Sequence, residues 1–391
     1  MIESTVIGRV QKIMQDFARS TGLDPLTPSP QRYLWTDAFA VCNYLGLFQQ
    51  THDPAYRELA QCLVDQVHHI LGRHRDDDLR KGWISGLKEQ EGELHPTTGG
   101  LRIGKKLNER RFSEPFDEER EWDRDGQYYH YLTKWMHALN RVGRVTGDSV
   151  YNRWAIELAK TAHARFTSDP NAVEPKRMIW KMSIDLSYPL VPSMGLHDPL
   201  DGLVTYSELQ MTADLNLGNS PLAAIRTEIV DMAEMCRGRD WATDDPLGIG
   251  GLLFDASRIA QLIVQGGFSY PDLLDSVMDS ALWGMRAFGK SKLLHLPPSH
   301  RLAFRELGLS IGLKCLLDLS GIIGKNSGIF GPKDPLHRKI TELRNYIPLA
   351  EEIEKFWLDE ENRRFGIWKE HQEINMVMLA TSLDPAGFST I

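Results

Sequence analysis

The sequence predicts an all-α fold, and three observations support this prediction. Across the 391 residues, apolar side chains recur mostly every three or four positions, which is the spacing of one buried helix face. No alternating apolar and polar stretch is long enough to predict a strand of more than a few residues. A short turn motif also occurs twice, each time between two helical stretches. We therefore expect about twelve helices.

The predicted helices follow one another with short connections, apart from two long loops. The first is predicted from an apolar stripe that runs from Val6 to Phe17, and the third from Pro54, which suits a first helical turn, to Gly72. The predicted ranges are roughly 2–20, 32–50, 54–72, 126–146, 148–167, 202–217, 220–238, 250–265, 271–289, 300–321, 335–357 and 370–383.

The repeated turn indicates how these helices are arranged. The stretches "THDPAYRELA" (51–60) and "TGDSVYNRWA" (146–155) share Thr-x-Asp-x-x-Tyr-x-x-x-Ala. In each copy the acidic residue, Asp53 or Asp148, can cap the helix that follows, and the Tyr and Ala lie on one helix face. The same turn thus connects an inner and an outer helix twice, and twelve helices in such pairs can close into a ring.

This layout and the phrase TGDxxYxxxA resemble the six-hairpin glycosidase-like proteins. The resemblance implies an (α/α)6 barrel, here a single domain over 1–391 with a long insert at about 72–125. A different α/α toroid or an open helical solenoid is the alternative. If inner and outer helices alternate, every second helix lines the barrel, and the N-terminal ends of these inner helices meet at one mouth.

Composition excludes several classes of function. Hydrophobic residues make up 42% and charged residues 25%, and the net charge of -8 is spread along the chain, which argues against binding to nucleic acid or a membrane surface. We find no signal peptide and no membrane span of ~20 uncharged apolar residues. Four scattered cysteines indicate a reducing compartment, so we predict a cytoplasmic protein. No metal-ligand spacing or cofactor motif is present, and the oligomeric state stays open.

The aromatic stretch "EWDRDGQYYHYLTKWMHALNRVG" (121–143) is the first candidate for function. One stripe of the predicted helix is apolar, whereas a second stripe, from Gln127 through His130 and Lys134 to Arg141, is too polar for a second core face. It either lines a cavity or is a solvated surface. Aromatic faces beside carboxylates suit sugar rings, so we predict a small-molecule or oligosaccharide substrate.

Two loops are expected to cover the mouth of the barrel. The insert from Gly72 to Asp125 is too long for a plain connection, and the loop from Trp180 to Gly202 is expected to face it. We interpret two acids in the second loop, Asp198 and Asp201, as caps of turns and of the next helix.

A glycoside hydrolase is the first functional hypothesis, because such enzymes need two carboxyl groups, one protonated and one ionised. In the resembled proteins such acids lie at or just before the starts of inner helices. The catalytic candidates here are Asp125, which we favour, Asp37 and Glu208, with Asp123, Asp255 and Glu306 behind them. For each acid, the alternative is a helix cap or an ion pair with a nearby arginine.

A sugar epimerase or isomerase is the second hypothesis, because the pKa of histidine suits proton transfer beside a carbonyl carbon. Its candidates are His130, His300 and His371, near the starts of predicted inner helices, with Arg301, Arg305 and Glu306 alongside. A non-catalytic binding or scaffold toroid is the third hypothesis. Under any of these, the expected substrate contacts are Trp35, Trp122, Gln127, Tyr128, His130, Arg258, His300, Arg305, Glu306 and His371.

Overall fold

The computed structural model describes residues 5–167, 177–191, 193–217, 224–331 and 335–391, and within these ranges the chain is mainly helical. The α-helices are α1 (Val6–Ser20), α2 (Leu34–Thr51), α3 (Pro54–Leu71), α4 (Glu89–Leu94), α5 (Glu118–Glu121), α6 (Tyr129–Thr146), α7 (Ser149–Phe166), α8 (Asp198–Leu217), α9 (Arg226–Cys236), α10 (Pro246–Val264), α11 (Asp272–Phe288), α12 (Ala303–Lys325), α13 (Pro335–Leu343), α14 (Pro348–Leu358), α15 (Gly366–Glu370), α16 (Gln372–Leu383) and α17 (Ala386–Ser389). Four 3-10 turns span Leu293–His295, Pro298–His300, Arg344–Tyr346 and Asn362–Arg364. The predicted helix starts at 2 and 220 lie outside the described residues.

The chain divides into two compact units. Unit 1 comprises Met1–Ser20, Gln49–His52 and Gly238–Ile391, and unit 2 comprises Thr21–Phe48 and Asp53–Arg237. The single domain expected over 1–391 stays a prediction.

Two kinds of long helix alternate along the chain, as the sequence analysis anticipates. Six helices, namely α2, α6, α8, α10, α12 and α16, are buried over most of their length and around most of their circumference. The long helices between them, such as α1, α3 and α11, instead keep one exposed face. The six buried helices are those predicted to be the inner ones, so mostly buried helices alternate with helices that keep an exposed face.

The repeated turn forms as predicted. Asp53 accepts a hydrogen bond from the Ala55 N–H at the start of α3, over 3.0 Å, and Asp148 accepts one from the Val150 N–H at the start of α7, also over 3.0 Å. Each carboxylate therefore caps its helix by satisfying an N–H group that has no partner within the helix.

Unit 2 contains a small sheet that the sequence analysis does not anticipate. Strands β1 (Gln127–Tyr128), β2 (Lys181–Met182) and β3 (Pro189–Val191) are antiparallel in the order β1-β2-β3. Residues 127 and 128 were expected inside the aromatic helix, which instead begins at Tyr129. The helix starts later than predicted because of a long-range contact: the backbone of β1 pairs with β2, some fifty residues further along the chain. This pairing also brings the two long loops together, as expected.

The long insert is ordered around one buried carboxylate, that of Asp125. Its Oδ1 accepts hydrogen bonds from the N–H groups of Gly104 (2.9 Å) and Gly126 (3.1 Å), and its Oδ2 contacts Arg102 (3.0 Å) and Arg75 (3.3 Å). Asp125 itself is fully buried. Because a buried carboxylate is stable only when paired and hydrogen bonded, these contacts fix three separate parts of the insert to one point.

Unit 1 contains a close crossing of two apolar helices, α10 and α12. A Cβ atom on Gly250 would lie 2.0 Å from the Gly308 carbonyl oxygen, and one on Gly312 would lie 2.5 Å from that of Gly250, so only glycine allows this approach. By length and composition both helices could cross a membrane, although neither is an uncharged apolar stretch, since α10 contains Asp255 and Arg258 and α12 contains Lys314 and Asp318. Most of each apolar stretch is buried inside the protein, at 67% and 61%, as in an ordinary core helix.

A buried histidine in unit 2 makes the stability dependent on pH. His68 Nε2 accepts a hydrogen bond from the indole N–H of Trp135 over 3.2 Å, and burial lowers the pKa of His68 from 6.5 to about 3. The folded protein thus keeps this ring neutral while the unfolded chain protonates it. The stabilisation is complete above pH 6.5 and is lost as the pH falls toward 3.

We predict that His68→Gln makes the stability less sensitive to acid. Gln retains an acceptor for Trp135 but does not titrate, so the wild-type free energy of unfolding should fall relative to that of the variant by about 1.4 kcal/mol per pH unit below about pH 6. Urea unfolding of both proteins at a series of pH values measures this difference. Parallel pH profiles for the two proteins would contradict the prediction.

We predict that Asp125→Asn destabilises the protein by about 3 kcal/mol, because it leaves two arginines facing a buried neutral group. Asp77→Asn is the matched control, since Asp77 also pairs with Arg75 but is 58% exposed, and its loss should cost less than about 1 kcal/mol. Denaturant unfolding compares the two variants. Equal stability of Asp125→Asn and Asp77→Asn would show that the buried ion pairs do not hold the insert.

Candidate functional site

Unit 2 carries a cluster of aromatic rings where β1 passes into α6. We define the aromatic cluster as Tyr33, Trp35, Tyr128, His130, Tyr131 and Trp180. The rings of Tyr128 and Trp180 stack at 4.9 Å and 5°, and the His130 ring lies 5.4 Å from that of Tyr128 and 6.1 Å from that of Trp180. The Trp35 ring lies 5.3 Å from Tyr131 and 5.9 Å from His130. Because His130, Tyr131, Tyr33 and Trp180 are only half-buried, the cluster presents aromatic faces to solvent.

The imidazole of His130 lies beside a carboxylate, that of Asp198. Its Nδ1 is 3.9 Å from Asp198 Oδ1, too far for a direct hydrogen bond, and its side chain is 31% exposed. Below this pair, Lys134 Nζ donates to Asp201 Oδ1 over 2.7 Å, and the Thr133 hydroxyl also donates to Asp201. One turn of α8 therefore presents two acids to α6, and only Asp201 is paired with a cation at short range.

These surroundings shift the two pKa values in opposite directions. Burial, with the Lys134 charge nearby, lowers the pKa of His130 to about 4, so its ring is neutral near pH 7. Burial, with the Asp201 charge nearby, raises the pKa of Asp198 to about 7, although Lys134 and the Gly195 N–H act in the opposite direction. Near pH 7, the neutral imidazole of His130 therefore lies beside the Asp198 carboxyl group, which is still protonated in a fraction of the molecules. Such a pair suits acid–base chemistry.

The three acids predicted to be catalytic each have protein partners. Asp125 precedes a strand rather than opening a helix, and it pairs with the two arginines described above. Glu208 lies well inside α8 rather than near its start, because α8 begins at Asp198; it accepts from His137 (2.9 Å) and Asn140 (2.6 Å). Asp37 is in the first turn of α2, as predicted.

The buried carboxylate of Asp37 caps its own helix. Its Oδ2 accepts from the Tyr33 N–H over 2.9 Å, and Oδ1 lies 3.3 Å from the Arg32 guanidinium. Burial raises the pKa of Asp37 to about 6, and both contacts oppose this rise. The surroundings of all three acids favour the alternative interpretation as caps and ion pairs, and their catalytic role stays a prediction.

The expected substrate contacts in unit 2 are partly brought together. Trp35, Tyr128 and His130 meet in the aromatic cluster, and the half-exposed Trp122 extends it, with its ring 5.7 Å from Trp180. Gln127, by contrast, is fully buried, and its side-chain amide binds the backbone of Gly99, Leu101 and Ile184. Gln127 therefore links the two long loops, and this geometry does not favour a substrate contact.

The remaining expected contacts belong to unit 1. Glu306 is buried against Arg301 (2.6 Å) and accepts from the Trp357 indole N–H (2.8 Å). Arg258 is buried and lies 3.2 Å from Asp255.

The other unit 1 candidates are exposed. Arg305 pairs with Asp245 over 2.5 Å, and His371, expected in an inner helix, lies at the N-cap of α16 with Phe304 at 5.6 Å. His300 lies in a 3-10 turn before α12, which starts at Ala303 rather than at 300. The substrate role of these residues stays a prediction.

A cavity of about 250 Å³ lies elsewhere in unit 2. It is lined by Arg110, Glu114, Pro115, Asp117, Arg120 and Arg124, none of which is a predicted site residue. Two of its arginines are already paired, Arg124 with Glu114 at 2.7 Å and Arg110 with Glu121 at 3.2 Å, so charges within the insert largely neutralise the cavity. No group of three potential metal ligands meets within the described ranges.

Sequence reasoning missed the partners of His130. Asp198 and Asp201 were interpreted as caps, and Lys134 only as part of a polar stripe. Their spacing contains a usable signal: Asp198 and Asp201 are three residues apart, as are His130 and Thr133, so each pair lies on one helix face. The sequence does not show that these two helix faces are in contact.

Comparison with known proteins relates the fold to that of sugar-converting enzymes. No protein-family model matches the sequence, and no curated protein matches it. A sugar epimerase from a ruminal bacterium is similar in structure, with a TM-score of 0.51 and 9% identity over 97% of this chain and 98% of that one.

Two further structures are also similar. The cellobiose 2-epimerase of Spirochaeta thermophila DSM 6192 gives a TM-score of 0.49 and 13% identity, over 96% of this chain and 98% of that one. The cellobiose 2-epimerase of Bacillus thermoamylovorans B4167 gives a TM-score of 0.47 and 10% identity, over 90% of this chain and 87% of that one. At this level of identity the likeness concerns the fold alone: the chain shares the overall fold of the ruminal sugar epimerase.

Proposed function

We propose that this protein is a carbohydrate-active enzyme that epimerises or isomerises a free sugar at the carbon next to its carbonyl group. The observation that carries the proposal is the half-exposed His130 beside Asp198 in the aromatic cluster. The fold of a sugar epimerase supports it. We further propose that the six buried helices line an (α/α)6 barrel of the six-hairpin type, and that the protein is cytoplasmic.

The two side chains divide the chemistry between them. Neutral His130 takes the proton from the carbon beside the carbonyl of the open-chain sugar, and the electrons of that C–H bond form the C=C bond of an enediol. The Asp198 carboxyl group gives its proton to the carbonyl oxygen. When His130 returns the proton to the same face of that carbon, the starting sugar forms again, and when the enediol has turned its other face to His130, the epimer forms. Return of the proton to the former carbonyl carbon yields the ketose, and in each case Asp198 takes a proton back from the enediol hydroxyl that becomes the carbonyl group.

The surrounding groups support these roles. Lys134 pairs with Asp201, and the charge of Asp201 favours the protonated form of Asp198. The half-buried ring of Trp180, stacked on Tyr128, offers a flat apolar face to the C–H face of a sugar. A hydrolase is less well supported, because the three acids predicted for it are engaged with arginine, histidine or backbone partners.

Proton NMR in D2O tests this proposal. The protein is incubated with free hexoses, hexosamines and reducing disaccharides, and we expect loss of the proton signal beside the carbonyl carbon together with new signals of the epimer or ketose. New anomeric signals from cleaved glycosidic bonds would instead establish a hydrolase. No change with any sugar would favour the binding or scaffold hypothesis.

We predict that His130→Phe lowers the exchange rate by about 10²- to 10⁴-fold, because Phe retains the stacking but cannot accept a proton. His371→Phe is the matched control, an exposed histidine of unit 1 that was also predicted from the sequence, and it should change the rate little. If His371→Phe loses exchange and His130→Phe keeps it, the base has been assigned to the wrong histidine.

We also predict a bell-shaped dependence of the exchange rate on pH. The rate should rise through about pH 4, as His130 becomes neutral, and fall through about pH 7, as Asp198 loses its proton. Asp198→Asn should be slower and should lack the fall at higher pH. A fall that persists unchanged in this variant would remove Asp198 as the acid.

A further inference from the structure

Trp35 has a buried indole N–H without an acceptor. The side chain is only 8% exposed, yet Nε1 makes no hydrogen bond with any residue that the structure describes. Three other tryptophans of unit 2 donate, namely Trp135 to His68 (3.2 Å), Trp154 to the Leu94 carbonyl (2.9 Å) and Trp180 to Ser193 (2.7 Å), whereas Trp83, which lies outside the aromatic cluster, also has a buried Nε1 without an acceptor among the described residues. Leaving a buried donor unpaired is unfavourable, so the Trp35 N–H calls for an acceptor from outside the described chain.

A second unpaired polar atom belongs to Asp198, which is a neighbour of the same histidine, His130. Asp198 is 5% exposed, and its Oδ2 accepts no well-formed hydrogen bond from the described part of the chain. His130 contacts both groups, since its ring is 5.9 Å from that of Trp35 and its Nδ1 is 3.9 Å from Asp198 Oδ1. The half-exposed imidazole of His130 therefore neighbours two residues that each carry one unpaired polar atom, Trp35 Nε1 and Asp198 Oδ2.

A sugar bound against the His130 ring carries several oxygen atoms and can supply a partner to each of the two groups. One oxygen accepts a hydrogen bond from the indole N–H, and a neighbouring hydroxyl exchanges a hydrogen bond with the Asp198 carboxyl group. The aromatic cluster provides the apolar contact that such a ligand also needs, because the C–H groups of a sugar lie between its hydroxyls. A purely apolar ligand would leave both polar atoms unpaired.

We infer that Trp35 is a specificity-determining residue whose indole N–H binds an oxygen of the sugar beside His130. The identity of the ligand rests on the proposed function; the need for an oxygen acceptor rests on the unpaired N–H. Trp35 thereby selects ligands that carry an oxygen next to the reacting carbon and disfavours the corresponding deoxy sugars.

The indole N–H signals of the wild-type protein provide a direct test. In a ¹⁵N-labelled sample, the Trp35 signal is assigned by its absence in Trp35→Phe, or in Trp35→Tyr where the Phe variant does not fold. In the free protein we expect this proton upfield of those of Trp135, Trp154 and Trp180, which are hydrogen bonded. A Trp35 proton as far downfield as theirs would show an acceptor within the chain and overturn the inference.

Titration with D-glucose, D-mannose and N-acetyl-D-glucosamine then tests the ligand. We expect at least one sugar to move the Trp35 signal downfield and to leave the Trp180 signal close to its place, with the 2-deoxy sugar binding more weakly. Failure of all three sugars to move the Trp35 signal would overturn the assignment of a sugar site at this residue.

Affinity of the variants provides the matched comparison. Trp35→Phe should weaken sugar binding about 3- to 10-fold, the value of one hydrogen bond, whereas Trp180→Phe should weaken it less, since that N–H is already satisfied by Ser193. Equal weakening by the two variants would mean that the rings contribute only by stacking.

The same samples separate this inference from the proposed function. Proton exchange in D2O is recorded alongside the titration. A shift of the Trp35 signal without exchange leaves the binding site standing and removes the proposed reaction. Proton exchange into the sugar without a shift of the Trp35 signal supports the proposed reaction but overturns the role of Trp35.

Discussion

The buried carboxylate of Asp125 is the interaction on which the rest of unit 2 depends. The buried carboxylate contacts two guanidinium groups and the N–H of Gly104, all from earlier parts of the insert, and it also accepts from the N–H of the next residue, Gly126. One of these donors, Gly104, has a φ of +93°, and a Cβ there would lie 2.2 Å from the Arg32 carbonyl oxygen, so only glycine can bring its N–H to the carboxylate. Since Asp125 immediately precedes β1, the same contacts fix the strand that carries Tyr128 and the helix start that carries His130.

Local patterns in the sequence predicted most of the helices, because each long helix buries a face whose apolar residues repeat at helical spacing. They also predicted the caps at Asp53 and Asp148, since an N-cap involves only a residue and the next turn. Local patterns could not predict that residues 127 and 128 form strand β1 instead of the first turn of a helix. A strand of two residues has no period, and its pairing with Lys181 and Met182 depends on where a loop far along the chain returns.

The candidate site shows the same limit for charged residues. Asp125, Asp37, Glu208 and Asp198 look alike in a sequence, as acids near aromatic or apolar neighbours. What separates them is the partner supplied from elsewhere: arginines for Asp125 and Asp37, a histidine for Glu208, and for Asp198 the charge of Asp201. His130 could be predicted from its position in the aromatic stretch, whereas its acidic neighbour required the packing of α8 against α6.

The division of the chain into units has a consequence for the order of events during synthesis. Unit 2 is nearly continuous, whereas unit 1 unites α1 with helices that begin only after residue 237, and α1 packs on α16 near the other end of the chain. All segments of unit 2 therefore leave the ribosome before unit 1 can assemble, and domains tend to fold as their segments emerge. During that interval the apolar stripe of α1 waits for α16, and the glycine face of α10 waits for α12, so these surfaces stay uncovered on the nascent chain until the later helices are made.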